Sequence, residues 1–302
     1  MKRTALALII LLMIASCGKA GEEKRAEVPR STASCPYTVR LIPENATRKN
    51  TISVYVRGAN PKDLRYRWFV NDIEVTEVRG MVLRYSGLKK HDMVRVEVTG
   101  ENGTECLSDP LIIANTPPKV HAARLMPATP RTGDDISVET RTLDEDGDDV
   151  AVDYKWAVNG ENVPAGLLDD PGVLPGDLVK RGDRITVMIT PDDGETRGQT
   201  ITLESIVVNS PPEVSKDIEA EFNGSLYTAR INALDPDGDR ITYRLVQAPD
   251  GMTINPETGV ITWLVTSDDE GEHDITVVVD DGHGGEIILP FTTTIGLSGY
   301  AE

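Results

Sequence analysis

One pattern constrains this chain more than any other, because it occurs twice. Leu64-Arg65-Tyr66-Arg67-Trp68-Phe69-Val70-Asn71-Asp72 is matched by Val152-Asp153-Tyr154-Lys155-Trp156-Ala157-Val158-Asn159-Gly160. Its surroundings recur in the same order. Lys89-Lys90-His91-Asp92-Met93-Val94 is answered by Lys180-Arg181-Gly182-Asp183-Arg184-Ile185, and Asn115-Thr116-Pro117-Pro118 by Asn209-Ser210-Pro211-Pro212. Strands, turns and linkers recurring in one order make an internal repeat. Residues 51–56 and 93–98 alternate apolar with polar, the period of a half-buried strand. Past the N-terminal segment no stretch holds a helical period. Short strands with regular turns build β-sandwiches. The Pro-Pro pairs make stiff joints, since each proline fixes its own φ and restricts the residue before it.

Composition narrows the function. The formal net charge of −18 argues against a nucleic-acid partner, which would require Lys/Arg clusters. The excess of Asp and Glu favours a body that gathers divalent cations. Hydrophobic residues at 39% suffice for packed cores.

The acid is concentrated in turns. Leu234-Asp235-Pro236-Asp237-Gly238-Asp239 has a weaker copy one repeat earlier, Leu143-Asp144-Glu145-Asp146-Gly147-Asp148. Each follows a strand-like run and an Asn-x-Pro-Pro segment, and each precedes an Asp-Asp-Gly turn, at Asp192-Asp193-Gly194 and Asp280-Asp281-Gly282. The third unit differs in its middle, where residues 251–263 read as a hairpin opened by Asn255-Pro256 and turned at Gly259.

Residues 233–239, Ile241-Thr242-Tyr243, the hairpin and Val279-Asp280-Asp281-Gly282 together resemble bacterial cadherin-like and Ig-type domains, over about 85 residues. The first two repeats resemble bacterial Ig-like sandwiches of the same broad kind. The resemblance implies that the acidic turn, the Asp-Asp-Gly turn and the linker converge at one end of each sandwich. For the third unit that would gather Asn209, Asp235, Asp237, Asp239, Asp280 and Asp281. For the second it would gather Asn115, Asp144, Asp146, Asp148, Asp192 and Asp193. Calcium takes six to eight oxygens in irregular geometry. Cadherin-like domains use the matching D-x-D and D-G positions for it; Asp148 and Asp239 lie beyond that pair. The competing reading is a solvated turn, for which Asp and Gly are also the favoured residues. An EF-hand would need Gly and Glu at its sixth and twelfth positions. Asp149 and Lys155, or Arg240 and Val246, stand there instead.

The N-terminus carries its own signals. Lys2 and Arg3 precede an apolar run from Ala5 to Ala15, too short for a membrane span and suited to a signal peptide. Ile14-Ala15-Ser16-Cys17 resembles the lipobox of bacterial lipoproteins. It implies cleavage before Cys17, acylation of that cysteine, and, with Gly18 following, delivery to the outer membrane. Cys35 and Cys106 then remain as one pair, and an exported location permits a disulfide between them. Two unpaired thiols are the alternative.

No catalytic constellation stands out. The four histidines lie outside zinc spacing. There is no G-x-S-x-G and no phosphate loop. Arg181-Gly182-Asp183 reads as a plain turn, because Lys90-His91-Asp92 fills the same place in the first repeat. Trp68 and Trp156 read as core.

The expectation is therefore an all-β chain of three tandem Ig-like or cadherin-like β-sandwiches. A signal peptide spans residues 1–16, a flexible tether 17–34, the sandwiches 35–114, 115–208 and 209–297, and a short tail 298–302. Its expected role is a non-enzymatic, lipid-anchored rod in the bacterial cell envelope, stiffened by calcium, for adhesion, binding or spacing. The partner would be a protein or polysaccharide. The alternatives are a part of a secretion, pilus or electron-transfer assembly and a carbohydrate-binding accessory. Aromatics at only 5% weaken the last.

Overall fold

A computed structural model describes residues 35–296. Cys17, the signal segment and the tether lie outside the described residues. The chain divides into two compact units, the first ending at Asn115 and the second beginning at Thr116.

The first unit is one sandwich. One sheet joins Thr38–Ile42, Ile52–Arg57 and Val82–Leu83; the other joins Ile73–Val75, Arg65–Val70, Met93–Thr99 and Glu105–Leu107, with Leu111–Ile112 also on Met93–Thr99. The alternation works as the pleat requires. Val94, Val96 and Val98 face inward and are fully buried, against Trp68, Ile52 and Leu83. Cys35 and Cys106 are joined by a disulfide with Cα atoms 5.5 Å apart. Cys106 lies within the strand Glu105–Leu107, opposite Val98.

The second unit holds two sandwiches. In the first of these, Lys119–Met126, Ile136–Leu143 and Val173–Leu174 face Glu161–Asn162, Ala151–Val158, Arg184–Asp192 and Ile201–Ile206. In the other, Glu219–Phe222, Leu226–Arg230, Val260–Leu264 and Thr253–Ile254 face Thr242–Gln247, Gly271–Asp280 and Glu286–Ile295. The hairpin pairs Thr253 with Thr262 and Ile254 with Ile261. Separate cores centre on Trp156 and Trp263.

The repeat holds at atomic detail. Trp68 Nε1 donates to the Gly80 carbonyl at 2.8 Å, and Trp156 Nε1 to the Pro171 carbonyl at 3.0 Å. Asn71 and Asn159 both take left-handed φ, 51° and 53°, which asparagine tolerates better than most residues. Their side-chain amides donate to Asp92 at 2.7 Å and to Asp183 at 2.8 Å. Asp183 also accepts the Lys180 backbone N–H and is buried. The Arg-Gly-Asp sequence is thus a turn whose Asp faces inward. Among the described residues no helix is long and apolar enough to cross a membrane.

Candidate cation sites in the acidic turns

Each acidic turn is built by its own first aspartate. Asp144 Oδ1 accepts the backbone N–H groups of Asp146, Gly147 and Asp148 at 2.8, 2.9 and 3.1 Å. Asp235 Oδ1 accepts those of Asp237 and Asp239 at 2.9 and 3.1 Å. Such local side-chain to backbone bonds are why aspartate favours turns. The linker then docks on the middle aspartate. Thr116 N donates to Asp146 Oδ2 at 2.6 Å, and Ser210 N to Asp237 Oδ2 at 2.7 Å.

The Asp-Asp-Gly turns behave alike in both sandwiches. The first aspartate of each caps its own turn: Asp192 accepts Gly194 N at 2.8 Å and Asp280 accepts Gly282 N at 2.6 Å. Among the described residues, neither Asp192 nor Asp280 belongs to the two close groups of carboxylates. The second aspartate faces the linker end. Asp193 joins Asp144 and Asp148, and Asp281 accepts the Asn209 side-chain amide at 2.6 Å. A glycine in each turn lets the linker close in. A Cβ at Gly198 would stand 1.9 Å from the Pro118 carbonyl oxygen, and one at Gly285 would stand 2.7 Å from the Pro211 Cα. Asn115 is half-buried and ends the first unit.

Two carboxylate clusters result. Asp144, Asp148 and Asp193 can bring one oxygen each within 4.8 Å of one another, and so can Asp235, Asp237 and Asp239. At that spacing each pair repels by about 1 to 3 kcal/mol near a protein surface. A cation shared among them removes that cost. Three buried aspartate oxygens of these turns have no hydrogen-bond partner: Asp144 Oδ2, Asp146 Oδ1 and Asp235 Oδ2. Asp235 itself is 5% exposed. A buried, unpartnered carboxylate oxygen carries a desolvation penalty that a metal ion would offset. The donors are all oxygens, which suits a hard divalent cation such as calcium.

The second cluster has one further member that the sequence pattern did not single out. Arg181, from the neighbouring sandwich, forks onto Asp239. Its Nη2 lies 2.9 Å from Oδ1, and Nη1 reaches Oδ2. The guanidinium holds the Asp239 carboxyl below the ordinary carboxylate range. Burial pushes the Asp281 carboxyl upward. The Asn209 amide and the His283 and Gly285 N–H groups outweigh this, and the net shift is downward. His283 Nδ1 stands 3.2 Å from Asp239 Oδ2.

Residues 204–296 match the family described as "Putative Ig domain". The match covers the last sandwich, so the chain is a set of tandem β-sandwiches whose last is Ig-like. Among solved structures it is similar to three N-terminal domains of the highly immunogenic outer capsid protein of bacteriophage RB49. The identity is 12%, the coverage 85% of this chain and 96% of that one, and the TM-score 0.29. It is also similar to the eight N-terminal Ig domains of the Down syndrome cell adhesion molecule, at 10% identity, 87% and 37% coverage and TM-score 0.41. Cadherin domains 3–6 of protocadherin gamma B2 show 15% identity, 86% and 75% coverage and TM-score 0.26. No curated protein sequence matches the chain.

Proposed function

We propose that this chain is a non-enzymatic, lipid-anchored envelope protein whose Ig-like sandwiches serve adhesion or spacing, with calcium bound in the acidic turns. The observation that carries the calcium reading is the pair of acidic turns whose first aspartate accepts the turn's own N–H groups, with the same linker contact and orphaned buried aspartate oxygens. Asp144, Asp146, Asp148 and Asp193 would hold one ion. Asp235, Asp237 and Asp239 would hold the other. The ion would supply charge balance where linker and turn meet; the chain supplies the preformed turn. The non-catalytic role rests on the Ig-like class and on a sequence without a nucleophile–base pair. The anchor rests on the Ile14-to-Cys17 motif alone. The partner would be a protein or polysaccharide of the envelope or beyond it.

Calorimetry of the full chain tests the cation. Extracellular calcium modules commonly bind at about 0.1–1 mM. With free calcium at ten times the dissociation constant, each site adds about 1.4 kcal/mol of stability. Two classes of site are expected. Asp235→Asn with Asp237→Asn should abolish one class and leave the other, because asparagine keeps an oxygen for the turn but loses the charge. No calcium uptake up to several millimolar, with melting indifferent to chelator, would refute this reading. Cell fractionation tests the anchor: Cys17→Ala should release the protein from the membrane fraction. Unchanged partition with unchanged mass would remove the lipid.

A further inference from the structure

We infer that Arg181 is the resident cation of the Asp235 cluster, a tethered guanidinium that competes with a divalent ion for the same carboxylates. The competition half of this rests on the calcium reading above. The residency half does not.

The backbone beneath Arg181 is fixed on all sides. Asp183 ties the turn to Asn159, and Gly182, at φ 89°, donates its N–H to the Val207 carbonyl at 2.9 Å. Arg181 N itself donates to Thr132 Oγ1 at 3.0 Å. Thr132 Oγ1 in turn donates to Asp237 Oδ1. The side chain is therefore launched from a rigid point directly beside the acidic turn.

What it meets there is a matched surface. Nη1 also donates to Asn209 Oδ1 at 2.5 Å, and stands 3.9 Å from Asp237 Oδ2. One guanidinium thus touches the linker asparagine, the middle aspartate and the last aspartate. Its planar fork suits a bidentate carboxylate, which a lysine ammonium would not reproduce. The Asp237 side chain is 1% exposed and that of Asp239 is 11% exposed, so water screens these charges poorly. A monovalent guanidinium balances only one of three carboxylates. Two negative charges and the unpartnered Asp235 Oδ2 remain. A divalent ion therefore still gains by entering, but must displace Arg181 from Asp239 to collect that ligand.

The test is Arg181→Gln in the full chain, with Asp239→Asn as a second variant that breaks the same fork from the other side. In chelator, hydrogen exchange at the Arg181, Val208 and Ser210 amides should quicken at least tenfold in both variants. In calorimetry, Arg181→Gln should bind calcium at least tenfold tighter at the affected site, with the Asp144 site unchanged and serving as the control for folding. A wild-type exchange rate in both variants overturns the inference, whatever calcium does. So does calcium binding by Arg181→Gln that is unchanged or weaker, which would make Arg181 a bystander or a support of the metal site. If neither protein binds calcium, the calcium reading falls and the exchange rate alone decides whether Arg181 is the resident cation.

Discussion

Replacing Cys106 with serine is expected to destabilise the first unit by about 4 kcal/mol or more, and Cys35→Ser by somewhat less. The disulfide closes a loop of 71 residues. In the chain-entropy account a loop of that length contributes about 4 kcal/mol by restricting the unfolded chain. The two substitutions differ in what they leave behind. Cys35 is exposed, so a serine there only removes the crosslink. Cys106 is fully buried between strands, so its hydroxyl must also be desolvated, at a further cost of about 1 to 3 kcal/mol. Denaturant unfolding read by hydrogen exchange over residues 93–107 separates them. Equal losses would show that the Cys106 site accommodates a hydroxyl; wild-type protection in both would show that the bond carries little of the unit's stability.

Trp156→Ala is expected to remove about 3 to 5 kcal/mol from the second sandwich, the range for truncating a buried aromatic. The ring is 1% exposed and packs in the core with Leu174, Ile185 and Val187. Its loss leaves a cavity and also strips the Pro171 carbonyl of its N–H donor. Trp156→Phe keeps most of the apolar volume and loses only that bond, so about 1 kcal/mol of the damage belongs to the hydrogen bond. Thermal unfolding of both variants measures the split. A phenylalanine variant as unstable as the alanine one would put the bond, not the volume, in control.

Much of the fold is visible in the sequence because its code is local. The alternation at 93–98 reports which side chains face in, and the structure buries Val94, Val96 and Val98. The repeated Tyr-x-Trp strands align because each must place one indole under one turn carbonyl. The acidic turns are likewise legible, since Asp144 and Asp235 fold them through their own backbone. What was hidden depends on the meeting of separate elements. Asp192 and Asp280 look like ligands in sequence, yet neither belongs to the two groups of carboxylates that approach within 4.8 Å of one another. Arg181 was hidden inside a turn motif; its reach is set by the packing of the next sandwich. One signal could have exposed it: a basic residue holds that place in both repeats, Lys90 and Arg181.

The way Asp144 and Asp235 fold their own turns has a kinetic consequence. Their Oδ1 atoms already gather the turn amides, so the loops hold their shape from local bonds alone. An arriving ion need not wait for the loop to assemble; its entry is limited by stripping water from the ion, by diffusion and, at the Asp235 turn, by release of Arg181 from Asp239. On the proposed reading, occupancy would follow the surrounding calcium level promptly in both directions. Each acidic turn would then act as a gauge of the medium it sits in rather than as a part set once at folding.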